Sequence, residues 1–244
     1  MSSVVNLYYI SKLTIICLCL NILIGSLFTL AQSELAYSNT NLPDEVVFHK
    51  NFDPPGEPEP KTTSGAGSRD IQRCGQDEAP IKALMPKSNF GLTFEEHPSV
   101  FMSLRKTSAK RVVLAVRDQT GEYYERAFLP ITTNGEIVSF KLPKEKSPLI
   151  IGKNYQWSLV VVCGNKVEPD DLIFSGWLQR VARIPQMDEE LAKKPPIWRA
   201  KWYGERGYWY EMLMAIKEAK KTQPNNVQLN VLLQKFWQSM DLNI

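Results

Sequence analysis

Between residues 99 and 181 short apolar runs alternate with turn chemistry. The runs are Ser99–Leu104, Arg111–Arg117, Glu122–Leu129, Glu136–Leu142, Asn154–Cys163 and Leu172–Val181. Asp118-Gln-Thr-Gly121, Thr133-Asn134-Gly135, the Lys144–Lys153 loop and Gly164-Asn165 separate them. Strand-length runs rich in Val, Tyr, Phe and Trp at regular spacing predict an antiparallel β-sandwich of immunoglobulin or fibronectin type, over residues 74–184. Asn134-Gly135 predicts a tight turn, because both residues accept positive φ. Tyr155, Trp157, Leu159, Val161 and Cys163 fall on one face of their strand at period two. Val160 and Val162 make the other face apolar as well, as in a central strand.

From Pro185 the period changes to that of a helix, over residues 185–244. Asp188-Glu189-Glu190 supplies negative charge suited to a helix start. Pro195-Pro196 opens a second segment that runs to Gly204. Gly207 separates it from Tyr208–Lys221, where Tyr208, Met212, Ala215 and Ala219 join Trp209, Leu213 and Ile216 in a broad apolar face. After Pro224-Asn225-Asn226 comes the most regular helix. There Leu229, Leu232, Leu233, Phe236, Trp237 and Met240 follow the i, i+3, i+4, i+7 pattern.

The opening of the chain is of another kind. Leu13 to Leu30 is uncharged and mostly apolar, Lys12 precedes it, and Thr29 and Ala31 stand at the −3 and −1 positions of a cleavage site. This reads as a signal peptide over residues 1–31; the alternative is an uncleaved membrane anchor, since the run just reaches spanning length. Residues 32–73 carry Asp53-Pro-Pro-Gly-Glu-Pro-Glu-Pro and Thr62-Thr-Ser-Gly-Ala-Gly-Ser68. Such a stretch reads as a flexible acidic linker. Cleavage would discard Cys17 and Cys19 and leave Cys74 and Cys163. An even pair in an exported chain favours a disulfide between them, the alternative being two free thiols.

Composition narrows the function classes. The chain has 244 residues and a formal charge of +3, too small for a dedicated nucleic-acid binder. The charge is uneven, however. Residues 32–80 hold nine acidic and four basic residues, whereas 193–226 hold eight basic and three acidic ones. In that second stretch the cations interleave with tryptophan and tyrosine, which marks Trp198, Arg199, Lys201, Trp202, Arg206, Trp209 and Lys217 as candidate partner-binding residues. Catalytic signals are absent from the motifs: no Walker loop, dinucleotide fingerprint, nucleophile elbow or CxxC pair occurs. Glu95-Glu96-His97 invites an acid–base reading, but neighbours on an extended strand point apart, and His49, the second histidine, lies in the linker. Asp170-Asp171 lacks the spaced oxygens of a calcium loop. No metal, cofactor or catalytic residue is therefore assigned.

Two resemblances add to this. Residues 193–226 resemble one tetratricopeptide repeat, with Ala200-x-x-Tyr203, the inter-helix Gly207, Ala219 and the closing Pro224-Asn225-Asn226. Met212 departs from the pattern, which has Ala there. This likeness implies an αα-hairpin with a concave peptide-binding face. Across the whole chain stand Gly65-Ala-Gly-Ser-Arg69, Cys74, Ala83-Leu84-Met85-Pro86, Asn89-Phe90-Gly91-Leu92-Thr93, His97-Pro98-Ser99, Gly152-Lys153-x-Tyr155-x-Trp157-Ser158 with Cys163, Ser175-Gly176-Trp177, and Tyr203…Gly207-x-Trp209-Tyr210. In that order they resemble the secreted cyanobacterial family labelled domain of unknown function 928. The resemblance implies an exported, two-cysteine protein and brings no reaction.

The expectation is an exported, non-enzymatic interaction module of the periplasm or cell envelope. Its partner would be a protein or peptide, or an anionic envelope polymer, and not nucleic acid. Membrane contact is expected only if the first segment is retained. The competing readings are a hydrolase with a spatially assembled site, recognisable by a pocket lined with paired carboxylates or a His–Ser contact, and a purely structural envelope protein.

Overall fold

The computed structural model describes residues 42–49, 56–61, 81–104, 107–132 and 135–242. The signal-peptide reading, Cys74, Thr133 and Asn134 fall outside the described residues. Eight strands and four helices follow in chain order: β1 (Lys82–Ala83), β2 (Phe90–Thr93), β3 (Ser99–Leu104), β4 (Arg111–Asp118), β5 (Tyr124–Pro130), β6 (Gly135–Lys141), β7 (Asn154–Val162), β8 (Leu172–Arg180), α1 (Pro185–Ala192), α2 (Pro196–Gly204), α3 (Trp209–Thr222) and α4 (Val227–Ser239). The strands form a five-stranded sheet ordered β2-β8-β7-β4-β5 and a three-stranded sheet ordered β1-β3-β6.

Alternation builds the larger sheet. Val112, Leu114 and Val116 of β4 and Tyr155, Trp157, Leu159 and Val161 of β7 point inward and are buried. Arg117 and Gln156, opposite one another in the ladder, point outward and hydrogen-bond across it at 2.7 Å. Each fully buried large side chain of this kind adds roughly 1.5–3 kcal/mol of transfer free energy. In the smaller sheet β3 is buried at every residue, so that strand has cover on both faces. One apolar core joins both sheets with α3 and α4.

The architecture corrects the expected fold class. The protein is mixed α/β, not an antiparallel sandwich with an appended tetratricopeptide hairpin. β2 runs parallel to β8, pairing Phe90 with Trp177 and Thr93 with Arg180. Asn89, at φ 54°, turns the chain into that strand. The helices are integral to the core. A Cβ on Gly91 would stand 2.5 Å from the Trp209 Cβ, so α3 lies directly on the backbone of β2. Leu92 N–H donates to the Gly207 carbonyl at 2.9 Å. A tetratricopeptide hairpin leaves a concave face open, but α3 buries Trp209, Tyr210, Glu211, Met212, Leu213, Ala215, Ile216 and Ala219, and these wrap most of its circumference. Met212, the departure from the repeat, is one of these core residues. β5 and β6 belong to different sheets, β5 at one edge of the five-stranded sheet and β6 at one edge of the three-stranded sheet.

Two pieces of the region read as linker pack on this body. Val46 is buried, Phe48 meets the Trp209 ring edge-on at 4.8 Å, and His49 N–H donates to the Gly204 carbonyl at 3.0 Å. Gly204 has no room for a Cβ against the Val47 backbone. The Glu57 carboxylate accepts from Asn154 N–H at 2.8 Å and pairs with Lys153 at 3.0 Å. The buried Gln179 amide donates to the Glu57 carbonyl. Among the described residues no helix is long and apolar enough to cross a membrane.

Candidate functional site

β2 ends at Thr93, and the chain then passes through Phe94 and Glu95 toward β3. Because α3 lies on β2, its Glu211 meets this corner. The Thr93 hydroxyl donates to Glu211 Oε1 at 2.7 Å, and the Phe94 N–H donates to the same oxygen at 3.1 Å. Glu211 Oε2 is buried and has no partner among the described residues. A carboxylate removed from water resists ionisation. Burial pushes Glu211 up to about 7; the Thr93 and Phe94 hydrogen bonds oppose the rise, and the nearby Glu95 charge adds to it.

Glu211 lines a cleft of about 290 Å³ together with Phe94, Glu95, Lys141, Arg183, Arg199, Tyr203, Met214 and Glu218. Its three cations are each tied to an acid. Lys141 meets Glu95 at 3.3 Å, Arg183 meets Asp188 at 3.1 Å, and Arg199 meets Glu218 at 2.7 Å. The Arg199 Nε is buried and, like Glu211 Oε2, has no partner among the described residues. A second hollow adjoins the cleft, and Phe94, Arg183 and Tyr203 wall both. In it the Arg183 guanidinium lies 4.4 Å from the Phe94 ring centre and Trp202 stacks on Tyr208 at 6.0 Å; Arg206, outside that lining, lies 4.1 Å from the Trp202 ring centre. Burial raises the Tyr203 and Tyr208 phenols, and the Glu211 charge raises them further.

The candidate partner-binding residues divide. Trp198 is 36% exposed on α2, Trp202 lines the second hollow, and Arg206 lies over the Trp202 ring. Arg199 enters the cleft. Lys201 faces Glu205 one turn on, at 3.6 Å. Trp209 is fully buried, its indole N–H donating to the Leu84 carbonyl at 2.9 Å, so it is core and not surface. Lys217 donates to the Ser139 hydroxyl at 2.7 Å, fastening α3 to β6, and its burial pushes its pKa down.

Other sequence readings also find their places. Glu95 is in the cleft, Glu96 pairs with Arg180 at 3.0 Å, and a His97 ring nitrogen lies 2.8 Å from the Lys146 carbonyl, so the three diverge. The buried Asp171 carboxylate accepts from Glu168 N–H at 2.8 Å, which closes a turn. Among the described residues no group of His, Cys, Asp and Glu is placed to hold a metal ion. Cys163 follows β7 with its sulfur 3.5 Å from the Val161 carbonyl oxygen. Sequence reasoning missed Glu211, Thr93, Phe94 and Arg183. The signal for Glu211 was an acid set among buried helical positions.

The sequence model of the family described as Domain of Unknown Function (DUF928) matches residues 64–244. The chain belongs to the DUF928 family. No curated protein matches it. The DUF928 match takes in both sheets, the helices and every cleft residue, while the packed pieces at 42–49 and 56–61 precede it.

Proposed function

We propose that this DUF928 chain is an exported, non-enzymatic interaction module of the periplasm or cell envelope. It engages a peptide or protein, or an anionic envelope polymer, through the surface that runs from Trp198, Trp202 and Arg206 into the cleft, and it does not bind nucleic acid. The observation that carries this reading is the adjacency of two hollows that share Phe94, Arg183 and Tyr203 as walls, which brings the half-buried rings of Trp202 and Tyr208 near the Arg199 guanidinium. Aromatic and arginine side chains of this kind are the usual anchors of interfaces. The apolar run at 13–30 supports export, and the family resemblance supports a cyanobacterial setting. Export in turn supports a Cys74–Cys163 bridge.

The test is capture from the native envelope on immobilised wild-type chain and on the Arg183→Glu, Arg206→Glu double variant. A cross-linked partner lost from the variant and eluted by salt supports the reading, and identical capture by both overturns it. N-terminal sequencing that starts at Gln32 supports cleavage and export. Two reactive thiols in the denatured, unreduced mature chain refute the bridge.

One observation favours a second reading, a hydrolase with a spatially assembled site: Glu95, Glu211 and Glu218 line a single cleft. Hydrolysis of ester or glycoside probes by the wild type and not by Glu211→Gln would favour it over the binding module.

A further inference from the structure

Two buried polar atoms of the cleft have no partner among the described residues, the Arg199 Nε and the Glu211 Oε2. Folded proteins seldom leave such atoms unpaired, and here both belong to residues that line one hollow. Arginine Nε is only ever a donor. Glu211 Oε1 already accepts from the Thr93 hydroxyl and the Phe94 N–H. A proton on this carboxyl therefore sits on Oε2 and makes that oxygen a second donor. We propose that the cleft binds a carboxylate group, which accepts hydrogen bonds from the Arg199 guanidinium and from the Glu211 carboxyl. The inference builds on the reading that the cleft receives an anionic partner, and it names the group that is recognised.

Charge selects a single negative group. Every charged residue of the lining is accounted for by element. Lys141 of β6 faces Glu95 from the β2–β3 connection, Arg183 beyond β8 faces Asp188 of α1, and Arg199 of α2 faces Glu218 of α3. The phenols of Tyr203, Tyr208 and Tyr210 are all raised by burial and stay neutral. With Glu211 protonated the paired lining cancels, and the Arg199 Nε–H, which has no partner among the described residues, is available to a monoanion. A phosphate dianion would bring a second charge that no free cation of the lining meets. Phe94, Met214 and Ala215 offer an apolar wall to the body that carries the carboxylate. The volume of about 290 Å³ sits at the small end of ligand sites, which run ~300–1,000 Å³. Such a carboxylate comes either from a free organic acid or from the end of a peptide chain.

Burial makes the site respond to pH. Glu211, pushed up to about 7, is mostly protonated at pH 6 and mostly ionised at pH 8. The ligand carboxylate stays ionised throughout that window. Binding takes up one proton at the higher pH, so affinity falls about tenfold between pH 6 and pH 8.

The experiment titrates the isotope-labelled mature chain with benzoate, then with a short peptide bearing a free or an amidated C-terminus, at both pH values. Amide shifts at Phe94, Glu95, Glu211 and Ala215 report occupancy. The proposal expects benzoate to shift these residues and to bind about tenfold more weakly at pH 8. Glu211→Gln keeps an oxygen for Thr93 and Phe94 and presents an amide donor; it binds with no pH dependence. Arg199→Gln loses binding while amides outside the cleft stay in place. Preference for the free-acid peptide over the amide identifies a chain end as the source, and benzoate alone identifies a free acid. Absence of cleft shifts, or a wild-type affinity equal at the two pH values, overturns the proposal. If capture through Arg183 and Arg206 persists when benzoate fails, the interaction reading survives and this one falls. If benzoate binds as described but the double variant captures the same partners, the carboxylate site survives and the wider reading falls.

Discussion

Replacing Glu211 by Gln will stabilise the protein at alkaline pH and leave it nearly unchanged at acid pH. The side chain is buried with one carboxyl oxygen unpartnered among the described residues, and its proton is held up to about 7 against an ordinary value of 4.5. The folded state thus binds this proton more tightly than the unfolded chain does. Stability from Glu211 is fully present below pH 4.5 and is lost as pH rises through 7, after which no more is lost. At about 1.4 kcal/mol for each tenfold change, the loss amounts to about 3 kcal/mol. Glutamine cannot ionise, fills the same volume and keeps an acceptor for the Thr93 hydroxyl and Phe94 N–H. Urea unfolding of both chains between pH 4.5 and 8.5 gives the measurement. All other titrating groups are common to the pair, so the difference between the two curves isolates Glu211. It is expected to be near zero at pH 4.5 and to reach about 3 kcal/mol in favour of the variant by pH 8. A difference independent of pH, or one that favours the wild type as pH rises, would refute the burial argument.

Two further outcomes test the packing. Tyr210→Phe removes a hydroxyl that accepts from the Trp157 indole N–H at 2.8 Å and donates to the Trp177 carbonyl at 3.1 Å. The buried Trp157 N–H is left unpaired, at a cost of about 1–3 kcal/mol in denaturant unfolding; an unchanged midpoint would show that the bond is not part of the folded state. Glu57→Ala releases the Asn154 N–H and Lys153 contacts that hold residues 56–61 to the body, so limited proteolysis will cut near that segment faster than in the wild type, with the body left intact. Equal rates would mean that the backbone contacts of Glu57 with Gln179 and Gly152 and of Pro58 with the Asn154 amide suffice to hold it.

The larger sheet was legible because its strands alternate. In β7 the inward set Tyr155, Trp157, Leu159 and Val161 follows from alternation alone, and all four are buried. β2 was not legible for a matching reason. Its four residues are all buried, so Phe-Gly-Leu-Thr carries no alternation. Its partner β8 lies more than eighty residues away, and that parallel pairing leaves no local trace. Without β2, the helices need only one another, which is the premise of a repeat hairpin. The helical periods themselves were correct in position. What the period does not reveal is how many sides of a helix are covered, and α3 is covered on most of them.

The cleft follows from the same missing strand. Glu211 stands among apolar neighbours in α3, and a lone acid there is legible only as an anomaly until something donates to it. The donors are Thr93 and Phe94, at the end of β2. Reading the basic and aromatic residues by their local density brought Trp209 and Lys217 into the candidate surface, although one is core and the other is fastened to β6. It left out Arg183 and Phe94, which the parallel pairing of β8 and β2 brings to the same corner. Local density of charge therefore points to α2 and α3, whereas the cleft also draws on side chains from the ends of β2 and β8. A cleft at the junction of a parallel edge strand and a buried helix is a property of the topology, and β2 is the element that converts an acid in an apolar helix into a held carboxyl with one oxygen unpartnered among the described residues.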